Sequence, residues 1–458
     1  MASEFPLYYD VIFRILGYHR DDYGQLFQWS LVNKEFNRTA SNMLYYRVVL
    51  SPPVSRLHQL NLRDTGAVTS PSNLPSATLP QYAELVVELE VSGFLNPRPP
   101  PRNTLHTVLR DALRKFTNIR SVKFVPATFH EDVFVDSLKL LPNLHTSLRE
   151  LTLSSSCTSD EEKVSLLTGI KGLCKLALHS PGRAILQHLP EWLENNSSTL
   201  DELHLLDNCG SVTPGVLKSF LPHVSESLKS FTLGLSYSIT DEDIFTFLSQ
   251  LPNLEHLRLR NYWQMRSPTH KPGLRQLKSF TADHRGPLTT CKEVATFCAW
   301  VRRIVAASPI QVLRIVAKGE ELSDDADDMN EFTNAPPDYV QNSYPAFDSL
   351  IEHLTKKHAT TLRHLQIGSA FVSLVSLQNL LERCLVLETL QVSAGNTALE
   401  CFSQLVPVAP RLHTASFEIR NIKPRSLKLE EEDVLKTLHH GSVSLRRLAV
   451  NGRRWETH

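Results

Sequence analysis

The chain lacks a net charge. Its 458 residues carry 48 Lys plus Arg against 48 Asp plus Glu, so no global field steers it toward nucleic acid or a membrane surface. Long apolar runs are missing too. None approaches the ~20 residues of a membrane span, and the first residues hold no basic segment followed by an apolar stretch. Cysteine is sparse: seven residues, an odd number with no Cys-x-x-Cys pair. That pattern argues against a disulfide framework and for reduced thiols in the cytoplasm or nucleus. The Asn-x-Ser/Thr matches at Asn37 and Asn195 are then read as chance. An intracellular, soluble protein is expected.

Reactive patterns are equally scarce. No nucleophile motif, phosphate loop or metal-ligand spacing occurs. The nineteen histidines are scattered, and neither His439-His440 nor His353 with His358 forms the i, i+4 pair with an intervening Glu of a zinc hydrolase helix. Residues about 317–346 hold Glu320-Glu321, Asp324-Asp325 and Asp327-Asp328, without the Gly turn and terminal Glu of a calcium loop. They read as a solvated, disordered acidic insertion. The expectation is no catalysis, no metal and no cofactor.

What is present is a recurring phrase. It runs Leu148-x-x-Leu151-x-Leu153, Leu173-x-x-Leu176-x-Leu178 and Leu200-x-x-Leu203-x-Leu205. It continues as Leu228-x-x-Phe231-x-Leu233 and Leu254-x-x-Leu257-x-Leu259. The starts lie about 25–28 residues apart, the period of a stacked strand-plus-helix unit. Each phrase places two apolar residues of a short strand inward, with the residue between them outward. One unit cannot bury its own leucines, but stacked units share a continuous core. Looser copies precede the block at Val86–Val91 and Ile119–Phe124. Others follow at Leu277, Ile310, Leu362, Leu387, Leu412 and Leu445. The final copy is followed by polar Asn451-Gly452-Arg453-Arg454-Trp455, read as a chain ending just past its last strand.

Between the phrases, Thr213 before Pro214 reads as an N-cap with proline at the first helical position. Thr240 with Asp243, and Ser159 with Glu162, have capping-box spacing. Lys292 to Ala307 reads as a strong amphipathic helix. Two stretches read as loops: Ser/Thr/Pro-rich 65–80, and Asn96-Pro97-Arg98-Pro99-Pro100-Pro101-Arg102, a stiff polyproline-like excursion. With the turns Asp207-Asn208-Cys209-Gly210 after Leu205 and Ser238-Ile239-Thr240-Asp241 after Leu233, these phrases resemble a leucine-rich-repeat solenoid of the cysteine-containing subtype. That resemblance implies an α/β horseshoe, with a parallel sheet on the concave face and helices outside.

Residues 1–50 do not follow the repeat. They read as three short helices, the first carrying Tyr8, Ile12, Ile15 and Leu16, and the third Phe36, Ala40, Met43 and Leu44. Phe5-Pro6-Leu7, Val11-Ile12-x-x-Ile15-Leu16, Leu26 and Ser30-Leu31-Val32-Asn33-Lys34-x-Phe36-Asn37 together resemble an F-box. Phe5 stands where that family opens with leucine, and Phe36 where it usually has tryptophan. The resemblance implies that Pro6, Leu7, Ile12, Ile15, Leu16, Leu31, Val32 and Phe36 dock on the Skp-type adaptor of a cullin–RING ubiquitin ligase. A helical cap over the open solenoid end is the other reading of the same residues, and one surface can do both. The expected division is 1–50 helical module and 51–458 solenoid.

The residues flanking the inward leucines define the inner wall. Most are small and polar. One unit differs, running His256-x-Arg258-x-Arg260 and then Asn261-Tyr262-Trp263. A cationic strip beside an aromatic loop has the composition of an interface hot spot, and two arginines can grip a carboxylate or phosphate. A solvated strand with a tucked aromatic is the alternative. His256, Arg258, Arg260, Tyr262 and Trp263 are thus the expected target site, with both arginines exposed. The two resemblances imply a substrate-recognition adaptor of an SCF-type ubiquitin ligase whose solenoid holds a target protein, with neither nucleic acid nor membrane as partner. A scaffold without ubiquitin transfer, or a solenoid regulating an enzyme by binding, are the alternatives.

Overall fold

The computed structural model describes residues 9–20, 22–50, 74–92, 102–125, 134–144, 147–261, 268, 270–285, 288, 290–318, 346–419 and 444–456. Pro6, Leu7, Tyr262, Trp263, the 96–101 proline stretch and most of the acidic insertion lie outside them, as does most of 65–80. The chain forms two compact units, Met1–Ser211 and Val212–His458.

The first unit opens with three helices, α1 (Tyr9–Gly17), α2 (Tyr23–Ser30) and α3 (Lys34–Tyr46). Asp22 caps α2, its carboxylate accepting the Gln25 amide at 2.9 Å. Asn33 caps α3, accepting from Phe36 N at 2.9 Å. Each cap satisfies a donor left open by the first helical turn. Ile12, Leu16, Leu26, Ala40 and Met43 form the shared core, with Trp29, Phe36 and Leu44 packed against it. From α3 the backbone turns extended at Arg47 and enters the first strand directly.

That strand, β1 (Arg47–Leu50), is followed by β2 (Glu88–Val91), β3 (Ser121–Phe124), β4 (Glu150–Leu153), β5 (Lys175–His179) and β6 (Glu202–Asn208). Each is parallel to the one before it. The register is set by the phrase itself: Leu151 lies beside Leu176, and Leu176 beside Leu203. All three are buried. Behind the strands, the helix Arg183–Asn196 sends Asn196 into the interior. Asn196 accepts from Leu173 N at 2.9 Å and donates to Ile170 O at 3.0 Å. Trp192 Nε1 also donates to Ile170 O. A buried amide with its bonds made is cheap to keep and ties one repeat to the next.

The second unit repeats the plan with β7 (Ser230–Leu235), β8 (His256–Arg260), β9 (Ser279–Arg285), β10 (Val312–Lys318), β11 (His364–Phe371), β12 (Thr389–Ala394), β13 (Thr414–Ile419) and β14 (Arg447–Val450). These too are parallel in chain order. Every strand expected from the leucine phrase is present, and the fold is an α/β leucine-rich-repeat solenoid. Two local expectations are corrected. The helix Glu161–Leu167 is capped by Asp160, whose carboxylate accepts from Lys163 N, and not by Ser159. The polar residues after β14 form β15 (Arg453–Glu456), antiparallel to it, with Leu448 opposite Trp455. Asn451 and Gly452 both take positive φ, 46° and 82°, the two-residue turn that Asn-Gly favours.

Candidate interaction surfaces

The three N-terminal helices split their apolar residues between two destinations. Ile12 and Leu16 are 1% and 0% exposed; they build the module's own core. Neither side chain is open to a partner in this structure, and Phe36 is half-buried against the same core. Ile15 faces outward instead. With Val11 it lies at i, i+4 on α1, a stripe separate from Ile12 and Leu16.

Among the described residues expected to dock, Leu31 and Val32 are the most open, 66% and 60% exposed. They form the turn between α2 and α3, and the turn is held from both sides. Asn33 caps α3 immediately after it. Asn37 Nδ2 donates to Ser30 O at 2.9 Å, and Ser30 Oγ to Phe27 O at 2.6 Å. Two apolar side chains are thus presented on a fixed backbone. Among the described residues, nine of the fourteen exposed large hydrophobic side chains fall between Tyr9 and Val32. Fully burying such a side chain is worth about 1.5–3 kcal/mol, so this surface forgoes stability that a partner can recover. Val11, Phe13, Tyr18 and Phe27 belong to it. Of these, only Val11 is named in the F-box-like phrase.

The cationic strip on β8 is organised differently from expectation. His256 is exposed, Arg258 and Arg260 half-buried. Arg258 Nε donates to Asp283 Oδ2 on β9 at 2.9 Å, so part of its charge is compensated across the sheet. Arg260 does not lie on the open face alone. It lines a cavity of about 20 Å³ with Asp241 and Trp300, room for about one water, and its Nε is buried with no partner among the described residues. Trp300 Nε1 donates to Asp241 Oδ1 at 3.0 Å. Burial pushes the Asp241 carboxyl up to about 7 against the pull of Trp300 and Arg303.

The register places a further residue beside the strip. Arg258 pairs with Thr281, and Thr281 with Arg314 on β10; Gln366 and Gln391 continue the row. At ~4.8 Å per strand, Arg258 and Arg314 stand about 10 Å apart at their backbones. Arg314 is exposed. Sequence reading did not single it out, since its row-mate Arg258 is over fifty positions away. The strands of the first unit carry opposite charges that cancel in place: Arg47 with Glu90 at 2.7 Å, and Lys175 with Glu202 at 3.4 Å. The His204 hydrogen bond, with Lys175, holds Glu202 down at about 2.

Among the described residues no helix is long and apolar enough to cross a membrane, and no cluster of His, Cys, Asp and Glu suits a metal ion. No protein-family model and no curated protein matches the chain. Among solved structures it is similar to a chain of the yeast Rad7–Elc1 complex, at 12% identity over 96% of this chain and 98% of that one, TM-score 0.42. It is similar to the leucine-rich-repeat-containing protein LegL7 from Legionella pneumophila at 16% identity, over 68% and 98%, TM-score 0.35. A chain of the Drosophila Toll–Spatzle complex matches at 12% identity, over 80% and 51%, TM-score 0.31.

Proposed function

We propose that this protein is a non-catalytic adaptor. The N-terminal helices dock on a Skp-type subunit of a ubiquitin ligase, and the outward face of the strands holds a target protein. The observation that carries the reading is the concentration of exposed apolar side chains on α1 and the α2–α3 turn, Leu31 and Val32 foremost. A cap serving only the solenoid would turn such residues inward. Ile15 supports the same docking face from α1. On the strands, Arg258 and Arg314 with His256 offer an acidic segment two charge-assisted contacts along one row.

The test is binding of the full chain to a purified Skp-type adaptor, followed by light scattering and interferometry. Leu31→Asp with Val32→Asp should weaken the complex by a hundredfold or more, since a charge is placed in an apolar contact. The melting temperature should not move, because both side chains are in water in the unbound protein. Unchanged binding by that variant, or none by the wild type, would sink the adaptor reading.

A further inference from the structure

The helix Cys291–Val305 presents an unusual stripe to solvent. Ala299, Arg302, Arg303 and Ala306 recur at i, i+3, i+4 and i+7, so they share one face. The two alanines leave the space beside the arginines unfilled. Lys271 from the preceding segment and His353 from the helix Asp348–Lys357 complete the lining of an open cleft of about 290 Å³. That is close to the lower bound for a small-molecule site.

Every polar group on the wall is cationic or a nitrogen donor. Arg302 and Arg303 are half-buried, which strips water from their guanidinium groups. Arg303 is braced by a bond from Nη1 to the Pro268 carbonyl. Lys271 makes no ion pair among the described residues, and neither does Arg302. Glu352, the carboxylate that feels Arg302, is taken up by Lys356 at 2.5 Å. His353 Nε2 is buried and has no hydrogen-bond partner among the described residues, a state that calls for a reason. The helix dipole favours cations in a last turn. It accounts for the sign of Arg302 and Arg303, but not for the cleft, for Lys271 arriving from another segment, or for the unpartnered Nε2 of His353.

We infer that this cleft binds a small soluble molecule through a phosphate or diphosphate group, held by Lys271, Arg302 and Arg303 and receiving a hydrogen bond from His353. Arginine forks match tetrahedral oxyanions and supply several donors each. The imidazole stays neutral in the empty site: burial, then His358, Arg302, Lys357 and Lys271, hold it down at about 4. A bound anion reverses the sign of that surrounding field, so binding draws a proton onto His353. The inference stands apart from the adaptor reading, since none of its residues belongs to the helical module or the strand face.

The test is calorimetry of the full chain with pyrophosphate, ionic strength being held with chloride. One saturable site per chain is expected. Arg302→Gln and Lys271→Gln should each weaken it about tenfold, whereas Lys218→Gln, an exposed cation on another helix, should leave it unchanged. Lys271 is exposed, so its variant tests the site even if Arg302→Gln impairs folding. With sulfate, whose charge is fixed over the range, affinity should rise as pH falls from 8 to 5.5 in the wild type and stay flat in His353→Asn. Absence of a saturable site, or equal weakening by Lys218→Gln, overturns the assignment. So does tighter binding of a phosphoserine peptide than of pyrophosphate through the same residues, which would make the ligand a protein.

Discussion

Between Tyr9 and Val32 the protein leaves apolar side chains in water; between Ser230 and His358 it takes ionisable ones out of it. Leu31 and Val32 stand open at a turn, while Asp241, Asp283 and His358 are 4%, 6% and 2% exposed. Both departures cost stability, but in different places. An exposed leucine forgoes burial and can recover it only from another molecule. A buried carboxylate must be answered from within, and Trp300 and Arg258 do so here. The first kind of departure leaves an apolar surface open to solvent, and the second marks internal ties whose charges are already partly compensated. On the repeat face this leaves Arg314 and His256 exposed, with Arg258 tied to Asp283, rather than a uniform cationic strip.

The comparison breaks most sharply if a charge is forced into the module's interior. Leu16 is fully buried in the module core, so Leu16→Asp should cost about 3–5 kcal/mol. Hydrogen exchange across residues 9–46 should then lose its protection, while amides in β4–β6 keep theirs. Protected helices in that variant would show that Leu16 is not core and that the inward and outward assignments on α1 are reversed.

How far such assignments were legible in the sequence depends on the range of the interaction. The leucine phrase located each parallel strand because the burial of Leu151 or Leu390 repeats within one short motif. Thr240 with Asp243 was legible for the same reason, and the reciprocal capping box is present. Thr290 with Glu293 forms another and went unread inside a looser repeat. The Asn451-Gly452 turn is a local signal too, but the polar residues after the last phrase mask the short strand that follows it. What sequence could not resolve is which apolar residue of α1 faces α3. Nor could it show that Arg258 meets Asp283, 25 positions on, since that partner is fixed only by strand register.

A smaller effect follows from removing a buried charge. The Asp241 carboxyl is raised to about 7, so the folded protein holds a proton there that the unfolded chain, with an ordinary value near 4, releases. Stability from this group is full below about pH 4 and is lost as pH rises through about 7. Asp241→Asn should flatten that slope and gain on the order of 2 kcal/mol at pH 8 relative to wild type. Paired melting curves from pH 5 to 8 check it. A parallel pair of curves would mean that Arg303 and the neighbouring cavity keep the carboxylate ionised.

The smallest effect separates the two arginines of the strand row. Arg258→Ala leaves Asp283, whose Oδ1 already has no partner among the described residues, without its bond at Oδ2 as well. Such an orphaned carboxylate costs about 1–2 kcal/mol, tempered because the Arg258 side chain is 40% exposed and its charge is partly screened. Asp283→Asn in the same chain should return part of the loss, as the charge left behind is then removed. Arg314→Ala, at an exposed position two strands over, should stay within about 0.5 kcal/mol of wild type. For capture of an acidic target the order inverts. Arg314 makes no ion pair among the described residues and should carry the larger loss, about tenfold or ~1.4 kcal/mol, whereas Arg258 must share its guanidinium with Asp283. Equal losses of stability for the two alanine variants would remove the distinction between spent and available charge on this face. Full target capture by Arg314→Ala would place the target away from this row.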